Sequence, residues 1–201
     1  MGNGVKERLY ITRREVQMLI QATSDSINKE RDCCMITFGY VHGLRVSELT
    51  GLKTDDIDFH GNSVHIRRLK GGFSTIHPVT HLEKKAIADW MSVRADYVSG
   101  ESPWLFLTRR GNRMTRQQFY KLLKRYGKKA GLTIRPNPHM LRHGCGFALA
   151  DQGMDTRLIQ DYLGHKNIRH TVHYTAGNAA RFSAVWKEVR EEECIPCRCG
   201  K

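Results

Sequence analysis

The chain has 201 residues, enough for one large domain or two small ones with a real buried core. Its 40% hydrophobic and 26% charged residues describe an ordinary globular protein, and no run approaches the roughly 20 apolar residues of a membrane span. Thirty-three Lys and Arg against 20 Asp and Glu leave a formal charge of +13, which favours a polyanionic partner, nucleic acid before an anionic membrane.

Helix signals dominate the chain. Thr12-x-x-Glu15 is a capping box opening a periodic run to about Ala22. A second helix is expected over 29–41, stopping at Gly43, and a short one over 46–52. Thr80-x-x-Glu83 caps another, to about Ala95, and Thr115-x-x-Gln118 caps a basic helix that ends before Gly131. Pro136 and Pro138 punctuate the entry to a helix over 139–152. Asp155 caps 156–163, Gly164 stops it, and Asn178 opens a last helix to about Arg190. Strands are few: 56–59, 63–68 and 74–79, the last two flanking Leu69-Lys70-Gly71-Gly72, a hairpin signal. The run 104–107 is a fourth strand or simply a buried apolar stretch. The expected fold is mainly α with a small antiparallel β-sheet (α+β), one domain over 1–190 and a Cys-containing, flexible tail over 191–201.

Adjacent Cys33 and Cys34 read as small buried hydrophobes, not as a secreted disulfide scaffold. In the tail, Cys194-x-x-Cys197-x-Cys199 has no second pair or nearby His to complete a tetrahedral site, so no metal is expected. The N-terminus lacks the apolar core of a signal peptide, which makes the cytoplasm the expected compartment. From Arg109 to Arg135 there are ten Lys or Arg and no acid. A solvated helix face normally mixes its signs, so Arg109, Arg110, Arg113, Arg116, Lys121, Lys124 and Arg125 read as a phosphate-tracking surface.

The chemistry gathers in four places. In His139-Met-Leu-Arg142-His143 the i, i+3 and i+4 positions share a helix face. The metal reading of HxxxH lacks a third ligand, and the adjacent Arg repels a cation. His143, flanked by Leu141 and Phe147, also fits a core position, whereas His139 and Arg142 suit an oxyanion, because Arg forks match phosphate geometry. Arg45 and Glu48 stand at i, i+3, as a surface salt bridge or as an Arg aimed at a ligand and held by a carboxylate. Lys70 lies in the hairpin turn, where such lysines are usually solvated; the two glycines would let the backbone approach a DNA strand. His165 and Tyr174 are nine residues apart, on opposite faces of a straight helix, so a shared site requires a bend between them. Two Arg, two His, one Lys and one Tyr are the parts that phosphoryl transfer without a metal needs: oxyanion donors, an acid and a nucleophile.

Arg45…Lys70…His139-x-x-Arg142…His165…Tyr174 resembles, in order and spacing, the active-site signature of the tyrosine recombinase (phage-integrase) family. Three stretches, 67–78, 138–150 and 155–175, are similar to its fimbrial phase-switch subgroup, the Fim-type DNA invertases; the likeness covers about residues 8–187. The resemblance implies a recombinase catalytic domain without a separate N-terminal core-binding domain. It implies Tyr174 as nucleophile forming a 3′-phosphotyrosine, Arg45 and Arg142 clamping the phosphate, and His165 bonding to it. It also implies His139 as acid/base near the tyrosine, Lys70 protonating the leaving oxygen, Glu48 and His143 in support, and Arg67 and Arg68 on the DNA. No cofactor is implied. The implied partner is double-stranded DNA carrying inverted repeats, bound by a homotetramer that is free to be a monomer in solution. Accessory DNA-bending proteins and a place on the bacterial nucleoid complete the expectation. The alternatives on the same fold are a phage-type integrase, a type IB topoisomerase or a non-catalytic DNA-binding regulator.

Overall fold

The computed structural model describes residues 8–68, 73–98 and 100–176. The hairpin turn with Lys70, the expected helix over 178–190 and the cysteine tail lie outside the described residues.

Thr12 caps α1 (Arg13–Gln21), with both bonds of the Thr12/Glu15 capping box formed. α2 (Lys29–Val41) is buried around nearly its whole circumference and is the central helix, packed on α1 and on three later helices. Its one buried acid, Asp32, accepts from Arg31 and from the Tyr126 hydroxyl (2.7 Å), which ties it to α5. α3 (Val46–Leu49) is a single turn. Three short strands follow, β1 (Ile57–Asp58), β2 (Ser63–Ile66) and β3 (Thr75–Pro78), antiparallel in that order, with Val64 opposite His77 and Ile66 opposite Thr75. α4 (His81–Arg94) and α5 (Arg116–Lys129) both open on the expected capping boxes. Between them the run 104–107 makes only isolated bridges, Lys53 with Trp104 and Leu107 with Arg113. Leu105, Phe106 and Leu107 are fully buried, so the apolar stretch serves the core and not the sheet. α6 (Pro138–Asp151), α7 (Thr156–Leu163) and α8 (Arg169–Thr175) complete the described chain. No helix among the described residues is long and apolar enough to cross a membrane.

The apolar side chains form two clusters. The larger one holds Leu19, Phe38, Trp90, Phe106, Phe119 and Leu123 and joins α1, α2, α4 and α5 to the sheet. The smaller one, Cys145, Ala150, Ile159, Leu163 and Tyr174, lies between α6, α7 and α8. α6 belongs to both, through Met140 and Leu141 on one side and Cys145 and Ala150 on the other.

The bend required between His165 and Tyr174 is present. α7 ends on Gly164 in the left-handed region (φ 64°), and α8 begins only at Arg169. A Cβ at Gly164 would also lie 2.8 Å from Arg68 Nε. Gly164→Ala is therefore expected to cost about 1–2 kcal/mol in backbone strain alone, and more once Arg68 is displaced. Chemical denaturation measures this; an unchanged midpoint would show that the turn tolerates a side chain.

Candidate active site

Glu48 is the buried anchor of the site. Its carboxylate accepts from the backbone N and Nη1 of Arg45 (2.9 and 2.8 Å) and from Nη1 of Arg68 (2.9 Å). Arg68 also donates to the carbonyl of Tyr162 at the end of α7. Arg68 was expected on the DNA-facing surface; it is instead 6% exposed and ties α3 to α7. The reason lies in strand alternation: Val64 and Ile66 point inward, and Arg68 continues their parity. Burial alone would raise the Glu48 pKa, but Arg68 and Arg45 outweigh it, so the carboxyl titrates below its ordinary value.

Arg142, on α6, is 5% exposed. Its Nη1 donates to the Gly43 carbonyl (2.6 Å) just past α2, and its Nη2 to the Leu163 carbonyl (2.7 Å) at the end of α7. Helix C-termini carry partial negative charge and unpaired carbonyls, so two helix ends neutralise and aim the guanidinium. Burial, with Arg45 and Arg68 nearby, lowers its pKa to about 10, which leaves it charged at neutral pH. Arg45 lies across from it and reaches the Gly164 carbonyl at 3.4 Å.

His165 follows the α7 stop, with Nδ1 2.9 Å from the Thr171 hydroxyl. Burial and the two arginines push its pKa down to about 3, so it is a neutral imidazole. With Nδ1 engaged by the Thr171 hydroxyl, Nε2 is the ring nitrogen left for a ligand. Tyr174 on α8 is 1% exposed, its ring stacked at 6.3 Å on His165. It lies over Gly146, where a Cβ would stand 2.6 Å from Tyr174 Cζ. The Tyr174 hydroxyl is 2.8 Å from Nδ1 of His143. Burial drives the phenol pKa up to about 12, against a smaller lowering by Arg142. His139, expected near the tyrosine, is exposed at the start of α6 and lines the cleft.

Arg45, His139, Arg142, His143, His165 and Tyr174 line an open cleft of about 450 Å³ that also receives Lys166, Arg169, His170 and His173. No carboxylate lines it among the described residues; its walls are cations, imidazoles and one phenol. Nothing in the local sequence pattern marks Lys166, Arg169 or His173 as site residues. The parity of Arg68 was a readable signal. The basic candidates from Arg109 to Arg125 are all exposed. Several are partly engaged: Arg113 lies over the Trp104 ring and donates to the Thr50 carbonyl, Arg109 lies over Tyr97, and Arg125 pairs with Asp32. Arg67 pairs with Asp56 at 2.6 Å.

The cleft brings together two guanidinium groups, a neutral imidazole and a tyrosine. The family model "Phage integrase family" matches residues 10–181. Type 1 fimbriae regulatory protein FimB of Escherichia coli (strain K12) is 48% identical over 185 residues, 92% of each chain. FimE of the same strain is 47% identical over 184 residues, 91% of this chain and 93% of FimE. The crystal structure of XerA recombinase superposes with a TM-score of 0.77 at 27% identity, over 92% of this chain and 66% of that one. The chain belongs to the phage integrase family, the tyrosine recombinases, enzymes of site-specific DNA recombination.

Because the Glu48 carboxyl titrates lower folded than unfolded, its stabilisation is complete above the ordinary value of 4.5 and is lost as pH falls through the folded one. Glu48→Gln should lower stability at pH 7 by about 3 kcal/mol and flatten the acid limb. Urea denaturation at pH 7 and pH 4 reads both; an acid limb as steep as the parent's would contradict the pairing.

Proposed function

We propose that this protein inverts a promoter-bearing DNA segment between short inverted repeats, and so switches a fimbrial or other surface gene. One observation carries the catalytic part: Arg45, Arg142, His165 and Tyr174, far apart in sequence, share one cationic cleft. The likeness to FimB and FimE along nearly their whole length supports the biological part.

In this reading a scissile phosphodiester of double-stranded DNA enters the cleft. Arg45 and Arg142 donate to its non-bridging oxygens from fixed positions, so charge developing on phosphorus meets preorganised donors. Glu48 braces Arg45, and His165 donates a further hydrogen bond. Tyr174 attacks in line, joins the 3′-phosphate and displaces the 5′ oxygen, which Lys70 protonates. The phosphotyrosine keeps the bond energy for rejoining, so neither a nucleotide nor a metal cofactor is called for. Four protomers on two sites exchange strands in two steps, helped by accessory DNA-bending proteins. The work takes place in the cytoplasm, on the nucleoid.

A nicked suicide substrate carrying the cognate repeat should trap a covalent protein–DNA adduct with the wild type. Tyr174→Phe should abolish the adduct and leave DNA affinity intact. Failure of the wild type to form any adduct on cognate DNA would instead favour a binding-only regulator.

The exposed basic stretch supports a second expectation, about affinity rather than chemistry. Replacing Arg109, Arg110 and Lys124 by Gln should weaken binding to all sequences and lower the slope of log K against log salt by up to about 3. A loss confined to a single base position would mean that these residues read sequence instead.

A further inference from the structure

The hydroxyl of Tyr174 rests 2.8 Å from Nδ1 of His143. His143 follows Arg142 by one residue, so its side chain is turned about 100° around α6 from the clamp toward α8. Both rings are fixed there. His173 lies against the Tyr174 ring (3.8 Å between centroids) and meets His143 edge-on (5.6 Å), while Phe147 meets Tyr174 edge-on from one turn along α6 (5.1 Å). Gly146 leaves the slot into which the phenol fits.

We propose that His143 is the general base for Tyr174, taking the phenolic proton on Nδ1 as the tyrosine oxygen bonds to phosphorus. The inference rests on Tyr174 being the nucleophile. In the forward step the O–H bond of Tyr174 breaks and its proton passes to Nδ1. The new O–P bond forms, and the bond from phosphorus to the 5′ oxygen breaks with its electron pair on that oxygen. The leaving oxygen takes a separate proton from the acid on its own side. On rejoining, protonated His143 returns the proton to the tyrosine oxygen.

The electrostatics favour that exchange. A phenol this deeply buried does not ionise unaided near neutral pH. His143 is itself held below its ordinary pKa by burial and by His173, His139 and Arg142, so at neutral pH it is unprotonated and able to accept. Besides these neighbours on α6 and α8, Arg45 and His165 line the same cleft, and among the described residues no carboxylate there competes for the proton. His139 lines the same cleft, yet the bond from the Tyr174 hydroxyl runs to His143.

The test is single-turnover cleavage of the suicide substrate by wild type, His143→Gln and His143→Ala, with DNA affinity measured beside it. The variants should bind normally and cleave about 100- to 10,000-fold more slowly. Between pH 7 and 9 the wild-type rate should be flat, whereas His143→Gln should climb roughly tenfold per pH unit, because hydroxide must then remove the proton. Replacing Tyr174 by a fluorotyrosine of lower pKa should restore much of the His143→Gln rate. A 5′-bridging phosphorothiolate, which needs no acid to leave, should not restore it. A wild-type rate and flat profile in His143→Gln, or rescue by the thiolate, would overturn the assignment while Tyr174 stayed the nucleophile. No adduct with the wild type would overturn the recombinase reading itself, and this inference with it.

Discussion

Glu48 sits buried between two guanidinium groups, and the rest of the cleft depends on how that concentration of positive charge is tolerated. Arg45, Arg68 and Arg142 converge in one region, where like charges at short range repel strongly unless compensated. Compensation comes from one carboxylate and from backbone carbonyls at the ends of two helices, Gly43 past α2 and Tyr162 and Leu163 closing α7. Arg68 gives both terminal nitrogens to this framework. Arg45 and Arg142 are held by it while still lining the cleft, which fixes two donors at the place a phosphate would occupy.

The two arginines and the tyrosine are anchored differently. Arg45 hangs from α3, which is continuous with the large core, whereas Tyr174 belongs to the small cluster between α6, α7 and α8. α6 is common to both, and it presents Arg142, His143 and Gly146 within little more than one turn. One helix therefore positions a guanidinium, meets the tyrosine hydroxyl and leaves room for the tyrosine ring. The distance between Arg142 and Tyr174 is thus set mainly by how α8 packs on α6.

Much of this was legible locally. The capping boxes at Thr12, Thr80 and Thr115 placed three helix starts, since a cap is a bond pattern over four residues. Gly164 gave the stop of α7, and the nine-residue spacing from His165 to Tyr174 demanded the turn that is found there. Contacts between distant segments were not legible. The shared face of His139, Arg142 and His143 was clear, but the choice of His143 over His139 as partner of the tyrosine depends on α8, some 30 residues away. Arg68 was read by its charge, while its strand parity decided its burial. The hydrogen bond of Glu83 to the Thr80 backbone was foreseeable; its close contact with His42, at 2.6 Å, needed α2 and α4 side by side.

The proposed reaction leaves Tyr174, in this cleft, joined to DNA. Its most direct measurement is mass spectrometry of the peptide that carries nucleotide after the trapped adduct is digested by protease and nuclease. The expected result is a nucleotide linked through its 3′-phosphate to Tyr174. A nucleotide on any other residue, or one linked through a 5′-phosphate, would contradict a phosphotyrosine mechanism at this site.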